Sequence, residues 1–407
     1  MIQNKSVFML KVSLLLTIIV VFSASLFART STRVRAKKNG AVAESPRARK
    51  RLARLHHTRR PVRNASLRVR RHRYYEHFTA NSFAENVTDG DNTVGEDPIV
   101  RQAALDALGN MNGTVVAIDP TSGRILAMVN QKLALSEGAQ PCSTIKVAVA
   151  LAALSENVIT PETEIQLGRR TFVNLTTALA KSNNAYFEAV GRRLGFRKVS
   201  YYAHQFGLGE LTGFNLEGEH LGTFPARELD AKLGGVGKMC SYGESISMTP
   251  LQLGALVSAI ANGGTLYYLQ HPNTPDEVLA FEPKIKRQLA IGPLVPEITE
   301  GMMGAVNYGT ARSLRLNFSE EQILGKTGTC SKDGTRFGWF ASYANTKVGH
   351  IVAVVFLQGG RPTYGPKAAE ITGRFYRALY DHNFFAAPAT TATSNVSGQA
   401  TTVGVRQ

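Results

Sequence analysis

Ser143-Thr144-Ile145-Lys146 sets a hydroxyl and an amine three residues apart at the head of an unbroken apolar segment, STIKVAVALAAL. On a helix, residues i and i+3 share a face, so the two groups meet only if residues 143–154 are helical. Alanine, valine and leucine occupy nearly every side of that helix, which therefore has to be buried. A serine in its first turn lies among unpaired backbone N–H groups. Read alone, the segment is a buried helix with Ser143 as its cap.

Two other segments change that reading. Ser182-Asn183-Asn184 sits inside 175–186, which reads as a helix interrupted by polar residues. Lys326-Thr327-Gly328-Thr329 precedes the strand-like run 336–344 and fits an edge strand. There Gly328 would let a substrate backbone approach closely, and a peptide alongside could add main-chain hydrogen bonds. No other S-x-x-K or K-[ST]-G occurs in the chain. A second S-x-N, Ser155-Glu156-Asn157, ends the Ser143 helix. At about 1.5 Å per residue it lies roughly 18 Å away, too far to meet the serine.

The chemistry of the first pair is specific. A serine hydroxyl is a weak nucleophile and needs a base beside it. A lysine serves only when desolvation or a nearby cation lowers its pKa towards neutrality. A buried apolar helix supplies the desolvation.

Taken in order, S-x-x-K, S-x-N and K-T-G-T resemble the transpeptidase domain of penicillin-binding proteins, within the superfamily that also holds the serine β-lactamases. The resemblance covers about residues 100–380. The run 114–128 (TVVAIDPTSGRILAM) is similar to the domain's opening hairpin, and 243–264 to the helix between the second and third motifs. Gly309-Thr310-Ala311-Arg312 resembles the element ahead of the K-T-G strand. The resemblance implies that Ser143 is acylated by the penultimate D-Ala carbonyl of a peptidoglycan stem peptide, with Lys146 as general base. It implies that Ser182 relays a proton to the leaving amine and that Asn184 binds the substrate amide. Lys326 would supply positive potential, and Thr327 and Thr329 would hold the substrate carboxylate along the strand opened by Gly328. Backbone N–H groups of Ser143 and Thr329 would form the oxyanion hole. β-Lactams are then expected as covalent inhibitors, a glycosyltransferase as a partner, and no cofactor. Two departures stand out. Cys142 occupies a position where the family often has glycine, and the Ser143–Ser182 spacing is short, so part of the site's rim is expected to be missing.

The fold expected is α+β, with helices packed on a central antiparallel sheet as in penicillin-binding protein transpeptidase and β-lactamase domains. Strand-like runs lie early (115–118, 125–129) and late (337–343, 350–357), so the chain's two ends should pair, with 367–380 as a terminal helix. The catalytic domain is expected over 75–385, and 386–407, rich in Ala, Thr, Ser and Val, as a disordered tail.

The net charge of +17 is unevenly placed. Residues 29–73 carry 17 Lys and Arg against the single acid Glu44, which leaves the rest of the chain near neutral. This stretch (29–74 as a unit) reads as a disordered linker that could bind anionic lipid or an acidic wall polymer. Nucleic acid is the usual partner of such a run but is not expected for an exported segment. Before it, residues 12–28 are uncharged and mostly apolar, about 26 Å of helix at ~1.5 Å per residue. Residues 1–28 therefore read as a single-pass inner-membrane anchor with the catalytic domain outside the cytoplasm, or else as a cleaved signal segment. Basic residues beside a span ordinarily stay cytoplasmic; against that stands a complete motif set whose substrate lies outside.

Cys142, Cys240 and Cys330 are odd in number, so at least one is free or pairs between chains. Their spacing and that of the nine histidines match no zinc motif, and no metal is expected. Three functional readings remain. The first is a D,D-transpeptidase or D,D-carboxypeptidase. The second is a β-lactamase, for which Glu210, Glu217 and Glu219 are deacylation candidates by residue type only. The third is a non-catalytic β-lactam sensor or wall-binding module.

Overall fold

The computed structural model describes residues 76–346 and 349–385. The readings made for residues 1–74 and 386–407 lie outside the described residues.

A five-stranded antiparallel sheet forms the centre: β1 (Gly113–Ile118), β2 (Ile125–Val129), β3 (Gln322–Lys332), β4 (Thr335–Thr346) and β5 (Gly349–Gly359). Its spatial order is β2-β1-β5-β4-β3. The two ends of the chain do pair, with Val115 opposite Val355 and Val116 opposite Val354. Side chains alternate between the faces of a strand. Val116, Ile118, Val352, Val354 and Phe356 join one core, whereas Val115, Ala117, Ala353, Val355 and Leu357 join the other. Helices cover both faces, which explains why β5 reads as a continuous apolar run and not as an alternating one. Full burial of each valine, isoleucine, leucine or phenylalanine among them stabilises the fold by about 1.5–3 kcal/mol.

The helices divide accordingly. α1 (Pro98–Leu108) contributes to the second core together with the terminal helix, which spans Gly365–Asp381. On the first face lie α2 (Ile145–Ser155), α3 (Leu175–Ala180), α4 (Asn184–Leu194), α5 (Gly235–Tyr242), α6 (Pro250–Ala261) and α7 (Val295–Asn307); the terminal helix is α8. Every residue of α2 from Ile145 to Leu154 is buried, as an all-round apolar helix requires. The segment 243–264 is a helix only from Pro250. Thr249 and Gln252 form a reciprocal capping box there, which starts the helix after a loop.

Candidate active site

A short 3-10 turn, Cys142–Thr144, precedes α2 and carries Ser143. Thr144 Oγ1 donates to the Pro141 carbonyl at 2.7 Å, which ties the turn down. One helical turn on, Lys146 is fully buried, with its Nζ 2.8 Å from Ser143 Oγ. The same amine reaches the Ser182 carbonyl at 2.9 Å, Ser182 Oγ at 3.1 Å and Asn184 Oδ1 at 2.5 Å. Burial lowers the Lys146 pKa to about 7, against a smaller upward pull from the Glu188 carboxylate. An amine so placed exchanges protons readily near neutral pH.

Ser182 lies in the break between α3 and α4 that the polar interruption predicts. The Asn183 side chain caps α4 by accepting from the Tyr186 N–H. This closes the turn and sets Ser182 at a φ of +54°. Asn184 opens α4, and its amide is largely engaged inside the protein. Its oxygen accepts from Lys146, and Nδ2 donates to the Tyr242 hydroxyl at 2.6 Å. One Nδ2 proton is left for a substrate.

The K-T-G-T segment lies on β3, which is an edge of the sheet as expected. Lys326 is buried in that segment. It is 1 % exposed, with Nζ 2.8 Å from Ser182 Oγ and 3.0 Å from its neighbour's carbonyl, Thr327 O. Burial, and then the Lys146 amine, hold its pKa well below the usual lysine range. Ser182 Oγ thus receives both amines, and its own proton is free to point elsewhere. Thr327 Oγ1 is 2.5 Å from Thr310 Oγ1, and Thr329 Oγ1 accepts from the Gly365 N–H at 2.8 Å.

Gly328 makes a close approach possible, but the partner is the protein itself. A Cβ there would lie 2.8 Å from the Pro141 carbonyl and 3.2 Å from the Thr144 methyl. The glycine lets the serine turn pack against β3. A disulfide joins the same two elements: Cys142, next to Ser143, is bonded to Cys330, next to Thr329, and Cys240 is free and buried. Trp339 adds a third tie, its Nε1 donating to the Gln140 carbonyl at 3.0 Å.

A cleft of about 640 Å³ opens at this point, with Ser143, Ser182, Thr310, Arg312, Thr327 and Thr329 on its walls. Ser143, Lys146, Ser182, Asn184 and the K-T-G-T segment, distant in sequence, therefore share one place. Among the described residues no group of His, Cys, Asp and Glu is placed to hold a metal. Sequence reasoning missed Tyr242 and the Thr310–Thr327 contact. Thr310 lies in a stretch singled out for its resemblance, but nothing marks its hydroxyl, and no local pattern marks Tyr242.

The family model for the penicillin binding protein transpeptidase domain matches residues 113–377. The chain belongs to that family. It is 29% identical over 260 residues to stage V sporulation protein D of Bacillus subtilis, covering 53% of this chain and 39% of that protein. It is 24% identical over 363 residues to the peptidoglycan D,D-transpeptidase MrdA of Haemophilus influenzae, covering 68% and 54%. The chain thus spans about half the length, or less, of these relatives. The crystal structure of Pseudomonas aeruginosa PBP2 in complex with WCK 5153 shares the fold, at a TM-score of 0.58 and 23% identity over 72% of this chain and 81% of that one.

Proposed function

We propose that this protein is a serine D,D-transpeptidase that cross-links peptidoglycan stem peptides through an acyl-enzyme on Ser143. The observation that carries the reading is the 2.8 Å approach of Ser143 Oγ to a buried Lys146 whose pKa is brought to about 7. Neutral Lys146 takes the hydroxyl proton as Ser143 Oγ attacks the penultimate D-Ala carbonyl. Backbone N–H groups of Ser143 and Thr329 face the developing oxyanion, where such donors are worth several kcal/mol. The proton then passes by way of Ser182 Oγ, which bridges both lysines, to the amine of the departing D-Ala. An amine from a second stem peptide attacks the ester and restores Ser143. The free Nδ2 proton of Asn184 binds the substrate backbone, and the hydroxyls of Thr327 and Thr329 bind its carboxylate.

The β-lactamase alternative needs a carboxylate to activate the deacylating water, and none lines the cleft. Glu210 instead pairs with Lys286 and Arg287, and Glu219 accepts from the N–H groups of Thr212 and Gly213. That favours a long-lived acyl-enzyme with penicillins. Incubating the protein with a penicillin and mapping the adduct by peptide mass spectrometry should find it on Ser143, and Ser143→Ala should remove it. An adduct on another serine, or labelling that survives the substitution, overturns the assignment.

The proposal includes the protein's place in the cell. The catalytic unit, residues 75–385, would face the wall outside the cytoplasmic membrane, held by residues 1–28 as anchor and aided by the basic linker 29–74 on anionic lipid. A glycosyltransferase making the glycan strands would be its working partner. Deleting residues 1–28 should move the protein out of the membrane pellet once salt screens the linker at 1 M, where the Debye length is about 3 Å. Retention in the pellet at that salt would exclude the anchor.

A further inference from the structure

Charge on the cleft walls has a single source. Of the residues that line the cleft around Ser143, Arg312 alone is charged. Lys326 is not among them; its amine is directed to Ser182 Oγ and Thr327 O. Neighbouring arginines are tied elsewhere, Arg315 to Asn307 and the Glu321 carbonyl, and Arg377 to Glu320. Among the described residues the Arg312 guanidinium has no hydrogen bond or ion pair. Its backbone is nevertheless fixed. Arg312–Leu316 is a 3-10 helix, and Ser313 Oγ donates to the Pro366 carbonyl at 2.5 Å, which pins it to the start of α8.

The hydroxyls that line the same cleft have protons to give. Thr329 Oγ1 already accepts from Gly365 N–H, so its own proton is not needed there. One proton serves the 2.5 Å contact between Thr310 and Thr327, and the other hydroxyl's proton remains available. A wall with one unpaired guanidinium, free hydroxyl donors and no carboxylate is complementary to an anion. A guanidinium binds a carboxylate through charge-assisted, often bidentate, hydrogen bonds.

We propose that Arg312 is the specificity-determining residue that reads the C-terminal carboxylate of the acyl donor, supplying the charge while Thr329 and the Thr310–Thr327 pair donate hydrogen bonds to its oxygens. This rests on the reading of Ser143 as the acylated residue. It assigns carboxylate recognition to the exposed Arg312 and leaves the buried Lys326 to the proton network around Ser182.

The test uses the full chain and two thioester donors that differ in one group: an N-acyl-D-alanyl thioglycolate, with a free carboxylate, and its amide. Rates of Ser143 acylation are compared for the wild type, Arg312→Gln and Arg312→Lys. The wild type should prefer the carboxylate donor. Arg312→Gln should lose about 10- to 100-fold on it, the range for a hydrogen bond to a charged group, and leave the amide donor unchanged. Arg312→Lys should restore part of the preference, since an ammonium keeps the charge but not the planar fork. An equal loss on both donors, or none on either, overturns the role of Arg312 while Ser143 labelling stands. Failure of the wild type to be acylated by both donors and by a penicillin overturns the donor reading and this proposal with it.

Discussion

Exchanging Lys146 for arginine should slow acylation of Ser143 by about 10²-fold or more, the usual contribution of a general base. Arginine keeps the positive charge but does not give up its proton in a protein, so the substitution separates charge from basicity. It also puts a planar fork where a single Nζ reaches Ser143, Ser182 and Asn184 at once. The wild type carries the matching signature in its pH dependence. Burial places the Lys146 pKa at about 7, and only the neutral amine can accept the serine proton. The acylation rate should therefore be level above that pH and fall about tenfold per unit below it, as the neutral fraction falls. Rates would be read with a fluorescent penicillin in stopped flow, with circular dichroism showing that the variant is folded. Near-wild-type acylation by Lys146→Arg at neutral pH, or a rate flat from pH 5 to 8, removes Lys146 as the base.

What the sequence made legible was local chemistry and periodicity. Ser143 and Lys146 are one helical turn apart, so their meeting follows from the helix, and the helix follows from its apolar composition. The sheet was legible because strand-like runs stand at both ends of the folded part, 115–118 and 125–129 early and 337–343 and 350–357 late, with helical runs between them. The family resemblance then supplied partners that no spacing rule gives, Ser182 and Lys326 among them. What stayed hidden depends on register between distant segments. Tyr242 meets Asn184 only because α5 packs on α4. Of the three cysteines, the pair that bonds is set by where the serine turn lands on β3, which residue types do not encode. Gly328 shows the same limit. Its need for space was legible, but the occupant of that space, Pro141 and Thr144, was not. Lys326 is a further case: the resemblance implies that it supplies positive potential, but its burial and the contact of its amine with Ser182 Oγ depend on how β3 packs against the Ser182 turn, which no local pattern encodes.

Removing the Cys142–Cys330 disulfide should lower the melting temperature on the order of 10 °C, together with the rate of acylation. The bond closes a sequence separation of 188 residues. For a loop of that length the chain-entropy relation gives about 5 kcal/mol of lost unfolded-state freedom, and a domain of this size shifts about 2 °C per kcal/mol. The rate should fall because the bond spans the two segments that carry the N–H groups proposed as the oxyanion hole, on Ser143 and Thr329. Position 142 adds an opposing effect. Cys142 has a φ of +52°, a conformation that costs a residue with a side chain about 1–2 kcal/mol and glycine almost nothing. Two double variants therefore separate the terms. Cys142→Ala with Cys330→Ala loses the cross-link and keeps the strain, while Cys142→Gly with Cys330→Ala loses the cross-link and relieves it. The glycine variant should melt a few degrees above the alanine variant yet acylate no faster, if the cross-link and not the backbone angle holds the oxyanion site together. Melting temperatures indistinguishable from wild type in both would show that the tie made by Trp339 and the packing on Gly328 already fix the turn. Acylation restored by glycine alone would assign the disulfide to stability and leave the oxyanion geometry to the turn.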